Sequence, residues 1–146
     1  MNKMKQTTAA VVQETEDNRA EQQARCQLDS IVEMVAALEK AEREDDEGAK
    51  DEARETLQED ALSVQVRGGW HSPGDEEGAK AEEFEILLCT GGPACRIVGD
   101  LTEHGQPERP RLQYQDWGTP WTEYFTMNRD EREALESYCA QFYFGE

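Results

Sequence analysis

At 146 residues, the chain has room for one domain with a helical extension. Both halves of the chain share its net charge of −18, so its surface should repel phosphate backbones, and we expect no direct nucleic-acid binding. No window approaches the roughly 20 apolar residues of a membrane helix, and no apolar leader precedes the four cysteines, so we expect no membrane contact, a cytosolic location and reduced thiols.

The N-terminal part of the chain differs in composition from the rest. Residues 1–60 contain no Trp, Tyr or Phe, which predicts an acidic helical arm at 1–60 and a packed domain at 61–146. Apolar residues recur at steps of three and four over 16–44, and a second, thinner stripe follows over 49–62. An acid run ending at Gly48 separates them, which favours a helical hairpin, and one long helix interrupted at Gly48 is the alternative.

The first helical stripe also suggests a mode of self-association. A domain with its own aromatic core does not need this stripe for folding, so the stripe is free to join two copies of the chain into a homodimer or larger oligomer. The residues of this predicted interface are Leu28, Ile31, Val35 and Leu38.

The periodicity changes to that of strands after residue 61. Leu62, Val64 and Val66 alternate with polar residues, which is typical of a half-buried strand. The predicted strands are 62–70, 84–90, 95–103 and 108–117. Short Gly- and Pro-containing connections require antiparallel pairing, and a helix over 128–144 begins at the N-cap Asn128. We therefore predict an α+β fold, in which an antiparallel sheet of three to four strands follows the helical hairpin or long helix, and the C-terminal helix packs on one face.

The segment Gln115–Phe125, QDWGTPWTEYF, carries two Trp, one Tyr and one Phe. Gly118 and Pro120 prevent a regular strand throughout. Its acidic neighbours argue against stacking on nucleic acid, which needs basic residues between the rings. We expect most of these rings to close the core, with Trp117 and Trp121 as candidates for a protein-docking edge.

The cysteines and histidines form no recognisable catalytic or metal-binding pattern. Cys89 and Cys95 could face each other across a tight hairpin, but their spacing matches no compact zinc motif. An enzyme using Cys89, Cys95 or His71 is the weakest alternative because no partner base is evident. We therefore expect no metal, no cofactor and no catalytic residue.

A resemblance covers about 85 residues, from Leu62 to Glu146. The stretches LSVQVRGGWHSPG, EFEILLCTGGPACRIVG, LQYQDWGTPWTEYF and FYFGE resemble a family of small acidic hypothetical proteins of phages and prophages of proteobacteria. The resemblance implies a phage origin and the host cytoplasm as the site of action. By analogy with anti-CRISPR proteins, it also implies an inhibitor of host machinery.

An acid run offers a surface for such an inhibitor. Carboxylates held on a helix can occupy a Lys/Arg groove that otherwise binds phosphates, so we expect a basic host protein, nucleic-acid-binding or a CRISPR effector, as the partner. The predicted contact residues are Glu42, Glu44, Asp45, Asp46, Glu47, Asp51 and Glu52. The alternative is a structural or self-associating phage protein that oligomerises through its N-terminal helices.

Overall fold

The structure is a computed structural model, and it describes residues 2–77 and 80–145, with α1 side chains described from residue 19 onward. The elements in chain order are α1 (Asn2–Arg43), α2 (Glu47–Asp60), β1 (Ser63–Gly68), β2 (Ala81–Cys89), β3 (Ala94–Leu101), β4 (Pro107–Gln115), β5 (Thr122–Glu123) and α3 (Arg129–Cys139). The strands form one antiparallel sheet in the order β1-β2-β3-β4-β5. The predicted α+β class is confirmed.

The N-terminal helices form the predicted hairpin. The turn lies at 44–46, where Asp45 adopts a positive φ of 53°, a conformation that Asp tolerates better than most residues. Gly48 lies inside the first turn of α2 and does not interrupt the helices. The interruption lies before Glu47, because the Asp46 side chain accepts a hydrogen bond from the Ala49 backbone N–H at 3.1 Å and caps α2.

The stripe of α1 is part of the central core. Its side chains at Leu28, Ile31 and Val35 join the sheet and α3 in one hydrophobic cluster, and α1 packs over β3 and β4. Residues on both sides of the predicted boundary at residue 60 therefore share one core. Side chains of α1, in the predicted arm, cover the sheet of the predicted domain.

The sheet is a meander, and residues along β2 and β3 point alternately to its buried face and its open face. Phe84, Ile86 and Leu88 of β2 are buried, as are Cys95 and Ile97 of β3. Packing leaves no room at Gly99, whose added Cβ would lie 2.6 Å from Phe84 Cε1 and 2.8 Å from the Glu108 carbonyl oxygen. Compared with the predicted three to four strands, the structure adds β5, which pairs with the end of β4.

The edge strand β1 has the predicted alternation of apolar and polar residues, but its apolar residues are not buried as predicted. Val64 and Val66 are 36% and 44% exposed, and Leu62 just before the strand is 60% exposed. The physical reason is position: β1 lies at the sheet edge, whereas α1 packs over β3 and β4. An apolar strip therefore remains in solvent beside β2.

The last helix, α3, contacts both α1 and α2 through polar side chains. Asn128 is its N-cap, as predicted, and forms a reciprocal capping box with Glu131. The buried Glu131 lies 2.7 Å from Arg25 of α1, and Tyr138 donates a hydrogen bond of 2.9 Å to Asp60 at the end of α2. The predicted helix continued to residue 144, but α3 ends at Cys139.

Beyond α3, the tail packs on the body as non-helical chain. The Phe144 ring packs against the Phe84 ring in a tilted arrangement, with ring centroids 4.8 Å apart. The tail therefore adds an aromatic side chain to the sheet side of the core.

Candidate partner-binding surfaces

The seven predicted acidic contact residues lie on one structural feature, the α1–α2 hairpin at 42–52, which we call the acidic hairpin. All seven are exposed. They occupy the end of α1, the turn and the first turns of α2. The mimicry prediction held them on a helix, whereas the structure distributes them over the end of α1, the turn at 44–46 and the start of α2, which together form a corner.

Three of the seven carboxylates have local structural roles. Asp46 caps α2, and Asp45 and Glu47 share Lys50, whose Nζ lies 3.3 Å from Asp45 and 2.9 Å from Glu47. The hydrogen bond with Glu47 is the largest cause that raises the pKa of the Lys50 ammonium, and the one with Asp45 is the next. They hold the corner in one geometry.

The other four acids of the corner are available to a partner. Within residues 2–77 and 80–145, the structure gives them no ion-pair partner. They are Glu42, Glu44, Asp51 and Glu52. A surface with this excess of carboxylates attracts cationic groups and repels phosphates.

A second feature, the tryptophan turn at 116–121, connects β4 and β5. Trp117 stands at its tip with 81% of the side chain exposed, and Phe125 beyond β5 is 74% exposed. Trp121 is half-buried, and only Tyr124 of the four rings lies in the core. The expectation that most of these rings close the core is wrong, since Trp117 and Phe125 are exposed and Trp121 lies outside the core cluster.

Hydrogen bonds hold the tryptophan turn in place. Thr119 Oγ1 accepts from the Asp116 backbone N–H at 3.1 Å and donates to the Asp116 carbonyl at 2.9 Å. Gln115 Nε2 donates to the Thr119 carbonyl at 2.7 Å, and Gly118 supplies a φ of +72°. Trp117 is thus an exposed aromatic side chain on a pre-ordered backbone, which lowers the entropy cost of docking it into a partner.

Trp121 has a different environment on the open face of the sheet. The Arg96 guanidinium carbon lies 4.2 Å from its ring centroid, a cation–π contact. Arg96 also contacts Glu85 at 2.7 Å and donates to Gln113 at 2.9 Å. Trp121 is therefore fixed by its own chain, whereas Trp117 presents its ring to solvent.

Comparisons with known proteins come to one result. No protein-family model, curated protein or solved structure matches the chain. Surface geometry and charge, together with the resemblance described above, are therefore the grounds for a function.

The open face of the sheet carries a charged groove that the sequence did not reveal. It has a volume of about 350 Å³, and its walls include Arg67, Glu83 and Arg111. Oppositely charged residues pair across neighbouring strands, as Arg67 does with Glu83 at 2.6 Å. The alternation of charged residues in β2, β3 and β4 is the signal that could have indicated this face.

The predicted oligomerisation residues lie inside the chain. Leu28, Ile31, Val35 and Leu38 are each at most 3% exposed. They have no surface left for a second copy in this arrangement. Self-association through them would require α1 to leave the sheet.

The cysteines and histidines of the described chain differ in burial. Burial is the main cause that raises the pKa of the Cys95 and Cys139 thiols above their usual range, so neither is activated toward reagents in solution. His71 is exposed, and its Nδ1 lies 3.1 Å from the Gly69 carbonyl.

Residues 2–77 and 80–145 contain neither a group of metal ligands nor a helix suited to cross a membrane. Within that part of the chain, no three His, Cys, Asp or Glu side chains are grouped to hold a metal ion. No helix there combines the length and apolar content that a membrane crossing needs.

Proposed function

We propose that this protein is a phage-encoded accessory binding protein that docks on a basic host protein and blocks its access to nucleic acid, in the manner of an anti-CRISPR protein. The observation that carries the proposal is the acidic hairpin: seven exposed carboxylates within residues 42–52, four of them with neither an ion-pair partner nor a capping role in the described chain. The partner is a nucleic-acid-handling or defence protein with a Lys/Arg groove.

Charge supports this proposal in two ways. The net charge of −18 steers a cationic partner toward the chain and raises the rate of encounter. At contact, the carboxylates of the fixed corner compete with phosphates for guanidinium and ammonium groups. In this proposal the mimic is a compact corner, so the groove it fills is short.

Trp117 supplies the apolar part of the contact in this proposal. Buried Trp side chains are frequent energetic centres of protein interfaces, and Trp117 is presented on an ordered turn. Burial of its ring in a pocket of the partner adds affinity that salt does not screen.

The phage origin and the host cytoplasm are parts of the proposal that rest on the resemblance of residues 62–146. The alternative is a structural phage protein that oligomerises through α1. Burial of the α1 stripe within the chain favours the first function over this alternative.

Charge reversal tests the proposal. The triple variant Glu44→Lys, Asp51→Lys and Glu52→Lys spares the cap Asp46 and the turn residue Asp45. The matched control reverses three exposed acids elsewhere, Glu76, Glu103 and Glu136, and changes the net charge equally.

The assay has two stages. Immobilised wild-type protein captures partners from a proteobacterial lysate, and each captured protein is then purified and tested for nucleic-acid binding in the presence of the chain. Reversal in the acidic hairpin should weaken binding about 100-fold, since three lost attractions and three new repulsions of roughly 0.5 kcal/mol each add to about 3 kcal/mol. Equal losses in the two triple variants, or a captured protein that still binds nucleic acid in the complex, would reject the proposal.

A further inference from the structure

Two thiols lie opposite each other at one end of the β2–β3 hairpin. Cys89 and Cys95 are register partners of the antiparallel pair, next to an irregularity of the register between Leu87 and Cys89. In a regular antiparallel pair, directly opposed residues have Cα atoms about 4.5 or 5.5 Å apart, which falls within the span of roughly 4.4–6.8 Å that a disulfide bridges. The pairing therefore places the two residues opposite each other on neighbouring strands.

The side chains also lie on the same side of the sheet. Cys95 belongs to the buried core, and Cys89 is partly buried and packs against the same cluster. After burial, the neighbouring Cys89 thiol is the next cause that raises the pKa of Cys95. Both cysteines are free thiols in the structure.

The two thiols differ in access. Cys89 is partly exposed, and its Sγ lies 3.9 Å from the Pro93 carbonyl, whereas Cys95 is fully buried. A reagent in solution therefore meets Cys89 first. Cys95 can react only with a sulfur that is already beside it, and Cys89 is such a neighbour.

We propose that Cys89 and Cys95 form an oxidation site, which a small-molecule disulfide converts into a cross-strand disulfide. The Cys89 thiolate attacks one sulfur of the reagent, the reagent's S–S bond breaks, and its first thiolate leaves and takes up a proton. The Cys95 sulfur then attacks the Cys89 sulfur, the S–S bond between Cys89 and the reagent breaks, and the second thiolate leaves and takes up the proton that Cys95 gives up. The two cysteines lose two hydrogens and two electrons, and the reagent gains them.

The bridge would act on the end of the sheet that presents Trp117. Cys95 pairs with Tyr114 across β3 and β4, and Ala94 pairs with Gln115, the last residue before the tryptophan turn. Closing the β2–β3 hairpin therefore restrains the strand against which this turn is built. The site is independent of the acidic hairpin.

Tryptic peptides give a direct test because both cysteines fall in one peptide, Ala81–Arg96, while Cys26 and Cys139 fall in two others. The reduced full-length protein is incubated with oxidised glutathione, free thiols are blocked, and the digest is weighed. We expect the 81–96 peptide to lose two hydrogens without retaining glutathione, whatever happens to the exposed Cys26 in its own peptide.

Variants identify the order of the steps. Cys89→Ser should abolish modification of the 81–96 peptide, because Cys95 alone is inaccessible. Cys26→Ser should leave closure unchanged. If Cys95→Ser folds, it should retain one glutathione on Cys89.

Three results would overturn the assignment. They are two unmodified thiols in the wild-type 81–96 peptide, a cross-link from this peptide to the Cys26 peptide, and modification of Cys95 in Cys89→Ser.

Discussion

Replacing Leu28 by alanine tests whether α1 belongs to the fold. The Leu28 side chain is completely buried and lies in the cluster that joins α1 to the sheet and α3. The substitution removes three carbon atoms worth about 0.8 kcal/mol each in transfer free energy, and the cavity left behind adds to this. We expect the free energy of unfolding to fall by about 3–4 kcal/mol, which lowers Tm by roughly 10 °C for a chain of this size.

The chain provides a matched control in Leu62, which is 60% exposed. Leu62→Ala removes the same atoms from solvent-exposed surface and should change stability by less than about 0.5 kcal/mol. Both variants are measured by thermal and urea denaturation, and their native masses by light scattering.

The native mass is the second readout. The structure predicts that it is the same for the wild type and for both variants. If Leu28→Ala were as stable as Leu62→Ala, or if it lowered the mass of an oligomer, α1 would not be packed as described. The dimer through the α1 stripe would then become the better account.

Three further substitutions test other parts of the fold by urea denaturation. Gly99→Ala should destabilise the chain by about 1–3 kcal/mol, because its Cβ would meet Phe84 and backbone at under 3 Å, and wild-type stability would contradict this packing. Asp46→Ala should cost about 1 kcal/mol through loss of the α2 cap, and a neutral result would show that the cap adds nothing. Burial raises the pKa of Tyr138, with Asp60 as the next cause, so the neutral phenol stabilises the fold below about pH 10 and this stability is lost at higher pH. The free energy of unfolding of Tyr138→Phe should therefore fall less steeply above about pH 10 than that of the wild type. Parallel pH profiles of the two proteins would refute this.

The sequence predicted the elements better than their surroundings. The stripe from Leu28 to Leu38 gives a helix because its 3.6-residue period is a local property. Whether this stripe meets the same chain or another copy depends on where the sheet lies, and periodicity does not contain that information. The same limit applies to Val64, whose alternation gives a strand but not its position at an uncovered edge.

The candidate sites show the same division. Composition located the acidic residues and Trp117, and the acid run favoured a hairpin, but the sequence did not place the turn at 44–46, because its position depends on the positive φ of Asp45 and the cap by Asp46. It also could not foresee that Arg96 stacks on Trp121, since this contact joins residues of β3 and the tryptophan turn. Long-range packing decides such contacts.

The burial of the α1 stripe against later elements has a consequence for biosynthesis. At roughly 5–20 residues per second, the ribosome needs about 5–20 seconds to proceed from Leu28 to Cys139, the end of α3. During this interval α1 exists without the strands and the helix that cover it, and its Leu, Ile and Val side chains face solvent. Nascent chains on neighbouring ribosomes therefore expose to one another a surface that the finished protein conceals, so chaperone occupancy of this segment should end when α3 emerges.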